Sequence, residues 1–177
     1  MAVVQAHPAI GVPHGFANGI AHPLSGIDHI LAMVAVGMFA AHLGWRALWL
    51  VPASFVAMMI VGGILGMTGV VLPFVEIAIG LSVVALGLIV AFRLDVATWL
   101  AMAVVGFFAL FHGHSHGTEM PQTTSGLAYG AGFIAATALL HMAGIGIGLS
   151  LAQHQRVLRM LGGAIAIAGA AIVGGYV

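Results

Sequence analysis

Six long apolar stretches dominate the sequence, and polar residues gather in the short segments between them. Most of these stretches are close to the roughly 20 residues that a helix needs to cross the hydrocarbon core of a membrane. The pattern therefore predicts an all-α membrane protein built as a bundle of six transmembrane helices. The predicted spans are about 24–43, 47–67, 72–92, 96–111, 126–151 and 157–176.

The composition indicates that lipid is the main solvent of this chain. Of its 177 residues, 62% are hydrophobic and 5% are charged, which is too little charge to cover the surface of a soluble domain. The length predicts a single transmembrane domain, 1–177. The four basic residues form no basic stripe, so we expect the lipid bilayer as a partner and no nucleic acid. The lack of cysteine excludes disulfides and thiolate metal sites.

All four basic residues are arginines, and they fall into three connections on one side of the predicted bundle. Arg46 follows the first span, Arg93 follows the third, and Arg156 and Arg159 follow the fifth. The positive-inside rule makes that side cytoplasmic. Both termini, including an N-terminal segment 1–22, are therefore predicted to be extracytoplasmic. The protein itself is predicted to lie in the cytoplasmic membrane of a bacterium.

The glycines show a spacing that is typical of close helix contacts in membranes. Small residues four positions apart allow two helix backbones to approach each other. We assign such contacts, and no chemistry, to Gly62 with Gly66, Gly126 with Gly130, and Gly144 with Gly148.

Ten histidines outnumber the acidic and basic residues combined, and one group of them lies at the outer end of the first span. There His22 is followed by Asp28 and His29. Imidazole nitrogen suits nickel, cobalt, copper and zinc, and a carboxylate adds negative charge. Ionisable residues inside an apolar span are costly and therefore indicate function. His22 and His29 would be roughly 10 Å apart along a regular helix, so they can share one ion only if the helix is interrupted.

A purely structural role for Asp28 is the alternative. Ser25 with Asp28 three residues later resembles a capping box, in which side chains bind the free amides of a helix start. Capping leaves His29 unexplained, so we favour a metal role for both His29 and Asp28.

A second group of histidines lies at the outer end of the fourth span, in residues 111–119. If this stretch is helical, His112, His116 and Glu119 share one face. If it is extended, His112, His114 and His116 share a face instead. Both arrangements are typical of metal binding, and a solvated polar loop is the remaining interpretation.

Three further residues carry weaker signals. His141 lies well inside the fifth span and Glu76 in the outer part of the third, and each either faces an ion pathway or only packs. His7 belongs to the N-terminal segment, where it could collect metal before the ion crosses.

The two motifs together resemble those of a known family. His22, Asp28 and His29 have the spacing of the first signature of the HupE/UreJ nickel/cobalt permeases, and residues 111–119 are similar to the second signature. The resemblance covers nearly the whole chain, with Ser115 where a small apolar residue is more usual. It implies secondary uptake of Ni²⁺ or Co²⁺. We expect no prosthetic group. The functional residues that it implies are His22, Asp28, His29, His112, His116 and Glu119.

Two other classes of function stay open on the sequence alone. An intramembrane metallohydrolase would use a metal-bound water and a general base such as Glu119, although no His-Glu-x-x-His motif is present. A metal-binding sensor or accessory subunit would need no transport pathway. The sequence has no phosphate-binding loop, so ATP hydrolysis by a Walker mechanism is excluded. A homo-oligomer is compatible with these observations.

Overall fold

A computed structural model describes residues 12–120 and 126–176 of the protein. All regular structure in these residues is helical. The seven helices are α1 (Val12–Ser25), α2 (Ile27–Leu43), α3 (Trp45–Met67), α4 (Val75–Phe92), α5 (Thr98–Glu119), α6 (Gly126–Ser150) and α7 (Gln155–Val173).

Five of the helices, α3 to α7, are each long and apolar enough to cross a membrane. Helix α2 has 17 residues, which corresponds to a length of about 25 Å. Counted together with the end of α1, from which it is bent by 84°, it qualifies as a sixth span. The described residues thus contain five to six candidate spans, and the predicted class, a multi-pass α-helical membrane protein, is confirmed.

The start of the first span differs from the prediction. The predicted span begins at residue 24, whereas the chain forms a separate helix up to Ser25 and starts α2 only at Ile27. Gly26 between them has an extended backbone, with φ −96° and ψ 119°, so the chain turns there. Part of the predicted N-terminal segment 1–22 is therefore helical, and α1 packs against α6.

The end of the fourth span also differs from the prediction. The predicted span stops at about residue 111, but α5 continues to Glu119, so the histidine-rich stretch is helical. Glycine weakens an isolated helix, yet here it allows α5 to pack closely on α3. A Cβ atom on Gly113 would collide with the backbone carbonyl of Met59, and Gly117 makes a similar approach to α3. The gain from this packing outweighs the low helix propensity.

Helix α2 is the centre of the bundle, because it contacts all six other described helices. The remaining helices pack mainly in pairs, α3 with α5, α4 with α7, and α1 with α6. The first turn of α2 carries Asp28 and His29. The bundle therefore places these two polar residues where several helix ends meet.

The four arginines lie at one end of the bundle. His42 at the end of α2 and Arg93 at the end of α4 contact each other, with Arg93 Nη2 3.2 Å from His42 Nδ1 and His42 Nε2 3.1 Å from the Arg93 carbonyl oxygen. Arg46 lies in the first turn of α3, next to the end of α2, and Arg156 and Arg159 lie at the start of α7. Both histidine motifs lie at the opposite end.

Candidate metal centre

The first turn of α2 meets the last three turns of α5 in a group of buried polar side chains. His29 Nε2 lies 3.0 Å from His112 Nδ1 and 2.5 Å from His116 Nε2. All three histidines are less than 10% exposed, and His112 is fully buried. We call Asp28, His29, His112 and His116 the buried cluster.

Asp28 sets the direction of the His29 ring. One of its carboxylate oxygens accepts the His29 backbone N–H at 2.7 Å and the ring Nδ1–H at 2.9 Å. The opposite ring nitrogen, Nε2, is then directed at the other histidines. The capping-box alternative is wrong in its partner, because Gly26 is the N-cap residue and the Ser25 hydroxyl donates to the His22 carbonyl oxygen. Asp28 nevertheless binds one free amide of the helix start.

Nearer to the surface, three side chains from α1 and α5 form a second group, the rim cluster, made of His22, His116 and Glu119. Their potential ligand atoms all lie within 4.8 Å of one another. His22 Nε2 is 3.2 Å from Glu119 Oε2, and the other oxygen of Glu119 accepts the Ser115 hydroxyl at 3.0 Å. The rim cluster is more open than the buried one, since the side chain of Glu119 is 51% exposed.

His116 belongs to both clusters and connects the two motifs. Its ring centroid is 4.7 Å from that of His22 and 4.2 Å from that of His29. The condition that the helix be interrupted between His22 and His29 is met at Gly26. The bend lets these two histidines approach His116 from different sides, which a straight helix would not allow.

A cavity of about 180 Å³ joins the two clusters and opens to the surface. Glu76, from the first turn of α4, also lines it. Three of the four acidic residues in the sequence, Asp28, Glu76 and Glu119, therefore border one cavity, while every arginine lies at the other end of the bundle. Clustered carboxylates attract a cation, and the imidazoles favour a borderline transition metal over Mg²⁺ or Ca²⁺.

The structure places two candidate residues away from both clusters. His114 turns towards the connection between α3 and α4, where its Nε2 lies 2.6 Å from the Val70 carbonyl oxygen. His141 lies deep in α6 and is 2% exposed, and neither of its ring nitrogens has a hydrogen-bond partner in the described part of the chain. His7 lies outside the described residues.

Two residues near the buried cluster were not identified from the sequence. The Ser82 hydroxyl of α4 lies 2.8 Å from His112 Nε2. The Phe55 ring of α3 lies between two histidines, with centroids 5.8 Å from His112 and 5.1 Å from His141. A serine or a phenylalanine in an apolar span gives no signal of its own, because both are common there.

The fold and the cavity define a multi-pass membrane protein with a centre of histidines and carboxylates. A family profile described as "HupE / UreJ protein" matches residues 1–172. The chain is also 51% identical over 173 residues to "Protein HupE" of Rhizobium leguminosarum bv. viciae, an alignment that covers 96% of this chain and 91% of that protein. The chain belongs to the HupE/UreJ family. No solved structure matches it.

Proposed function

We propose that the protein is a secondary permease that takes up Ni²⁺ or Co²⁺ across the bacterial cytoplasmic membrane. The observation that carries the proposal is the cavity that is lined by three carboxylates and by histidines from both motifs, His22, His29 and His116. Membership of the HupE/UreJ family supports the choice of metal, because the motifs resemble those of nickel/cobalt permeases.

The arrangement of the two clusters supports a path with successive stations. His22 and Glu119 of the rim cluster are accessible and capture the hydrated ion. The ion then passes from His116 to His29 and His112, whose ring nitrogens replace part of its bound water. Beyond His112 the path passes the Phe55 ring and reaches His141, which lies further along the bundle axis.

The membrane potential is a sufficient driving force for uptake. Moving two positive charges inward gains roughly 4.6 kcal/mol per 100 mV, from roughly 2.3 kcal/mol per charge. At 100 mV this free energy corresponds to an accumulation of about 2,000-fold. It acts in the required direction if the carboxylate cavity faces the outside and the arginine end faces the cytoplasm, as the positive-inside rule predicts.

Purified protein in liposomes that enclose a metal-sensitive dye tests the proposal. With an inside-negative potential, we expect Ni²⁺ and Co²⁺ to enter faster than into empty liposomes. Glu119→Gln should slow this flux because it removes a charge from the rim cluster. His154→Ala, at an exposed position near the arginine end, is the control and should leave the flux unchanged.

Two results would contradict the permease. If neither ion enters faster than into empty liposomes although the protein binds it, a non-transporting sensor or accessory subunit fits better. If His154→Ala and Glu119→Gln reduce the flux equally, the cavity does not form the path.

A further inference from the structure

The hydrogen bonds of Ser82 determine which nitrogen of His112 carries a proton. The Ser82 hydroxyl oxygen lies 2.6 Å from the carbonyl oxygen of Ile79 and 2.8 Å from His112 Nε2. A carbonyl oxygen can only accept, so the single hydroxyl proton of Ser82 goes to Ile79. The Ser82 oxygen then has no proton left for His112, so in its contact with His112 Nε2 the ring nitrogen must be the donor. His112 Nε2 is therefore protonated and donates to Ser82.

The opposite nitrogen of His112, Nδ1, then carries a lone pair when the ring is neutral. His29 is held in the same way, because its Nδ1–H donates to Asp28 and its Nε2 is left with the lone pair. These two nitrogens, His112 Nδ1 and His29 Nε2, face each other at 3.0 Å. Two lone pairs cannot form a hydrogen bond, whereas a cation beside them satisfies both.

We propose that Ser82 is a positioning residue of the metal centre, which holds His112 in the tautomer that offers Nδ1 to the ion. Asp28 does the same for Nε2 of His29. Metal-binding histidines generally donate their other ring N–H to an oxygen in this manner, and loss of such a partner typically weakens metal binding 10–100-fold. The identity of the ion rests on the proposed function, but the tautomer of His112 does not.

Burial supports this role for Ser82. The residue is 0% exposed in the middle of an apolar helix, where a polar side chain is costly unless it is hydrogen-bonded. The bond to Ile79 alone would satisfy it, as in Ser54, whose hydroxyl donates to the Val51 carbonyl oxygen at 2.7 Å. Ser54 makes no side-chain bond to a histidine in the part of the chain that the structure describes, so it provides a matched control.

The test compares Ser82→Ala, Ser82→Thr and Ser54→Ala in the purified full-length protein. The first measurement is Ni²⁺ affinity by calorimetry. We expect Ser82→Ala to bind about 10–100-fold more weakly, Ser82→Thr to restore the affinity because it keeps the hydroxyl, and Ser54→Ala to match the wild type.

The second measurement is nitrogen-15 NMR of histidine-labelled protein without metal, with the His112 signals assigned by their loss in His112→Gln. We expect a protonated Nε2 at His112 in the wild type and in Ser82→Thr, and a mixture of tautomers in Ser82→Ala. Merely structural damage would not produce this change at one ring.

Three results would overturn the role of Ser82. These are an unchanged His112 tautomer in Ser82→Ala, wild-type Ni²⁺ affinity in Ser82→Ala, or equal losses of affinity in Ser82→Ala and Ser54→Ala. The NMR measurement needs no metal. If the wild type bound no Ni²⁺ but Ser82→Ala still changed the tautomer, the proposed function would fail while the assignment of Ser82 as the partner of His112 stood.

Discussion

At the scale of single residues, His116 and His114 are close in sequence but differ in position. His116 contacts His29 in the buried cluster and His22 in the rim cluster. His114 instead contacts the Val70 carbonyl oxygen. An extended structure for this stretch would have put both histidines on one face. The stretch is helical, so they lie on different faces. We therefore propose that His116 belongs to the metal path and that His114 contributes only to the packing of the bundle.

This difference gives a prediction for a pair of variants. His116→Ala should reduce Ni²⁺ flux into liposomes by at least about tenfold, because it removes a ligand from both clusters. His114→Ala should keep the flux but lower the thermal stability, since it removes the hydrogen bond between the buried His114 ring and the Val70 carbonyl oxygen, which contributes about 0.5–1.5 kcal/mol. Flux and melting temperature are measured on both variants. A loss of flux in His114→Ala at unchanged stability would contradict the assignment.

His141 allows a test in which stability and transport change in opposite directions. Both of its ring nitrogens are buried without a hydrogen bond in the described residues, which is unfavourable for the fold. His141→Leu should therefore raise the melting temperature. The same variant should reduce Ni²⁺ flux if the ion stops at His141 on its way. An unchanged flux would leave His141 as a packing residue and remove it from the path.

The residues of the site could be predicted from the sequence only where burial makes them costly. Histidine, aspartate and glutamate in an apolar span require an explanation, so the sequence identified His29 and Asp28 as candidates. Ser82 requires none, because a serine can satisfy its hydroxyl on its own helix. Its contact with His112 depends on the packing of α4 against α5, which no local pattern records.

At the scale of helices, the break between α1 and α2 is the feature on which the site depends. A Cβ atom at Gly26 would lie 2.6 Å from Asp28 Oδ1 and 3.3 Å from His29 Nδ1. The glycine is therefore required less for its backbone conformation, which any residue can adopt at φ −96°, than for the space beside the carboxylate. Without that space Asp28 could not hold the His29 ring.

Gly26→Ala should therefore damage metal binding more than it damages the fold. The added methyl group displaces the Asp28 carboxylate, and we expect Ni²⁺ affinity to fall by roughly 10–100-fold, as for loss of an orienting partner. Gly146→Ala is the control, because a Cβ atom there meets nothing within 4 Å. Calorimetry measures the affinity and circular dichroism the helix content. Wild-type affinity in Gly26→Ala would show that Asp28 is not held through this contact.

The boundaries of the helices were less predictable than the presence of the apolar spans. Hydropathy falls at residue 112 because histidine and glycine are polar or weakly apolar, yet α5 continues for two more turns. The continuation is stabilised by α3, whose backbone lies against Gly113 and Gly117. Such a tertiary contact is absent from any single-sequence window, so the helical and extended alternatives could not be separated beforehand.

At the scale of the whole molecule, the pairing of helices is only partly encoded in glycine spacing. The contacts expected for Gly62 with Gly66 and for Gly144 with Gly148 are confirmed, because Cβ atoms there would meet the backbones of α5 and α2. The same expectation for Gly126 with Gly130 is wrong, since a Cβ atom at Gly130 meets nothing within 4 Å. Lipid is as apolar as leucine, so the hydropathy of a helix does not determine which neighbouring helix it packs against.

The separation of charge along the bundle axis leads to a prediction of orientation. The carboxylate cavity lies at one end and all four arginines at the other, and exposed Trp45, Trp49 and Trp99 accompany the arginines. This arrangement fits an interface with the cytoplasm. Uptake driven by the potential requires the same orientation, because the ion must meet the carboxylates before it crosses.

The chain has no cysteine, so single cysteines can report the orientation directly. Val71, in the α3–α4 connection beside the cavity end, is 86% exposed, and Gln153 is exposed in the α6–α7 connection at the arginine end. In intact cells, a membrane-impermeant maleimide should label Val71→Cys, and it should label Gln153→Cys only after permeabilisation. The reverse pattern would place the carboxylate cavity in the cytoplasm. The inside-negative membrane potential would then hold cations at the cavity end, and the same clusters would have to collect metal from inside the cell.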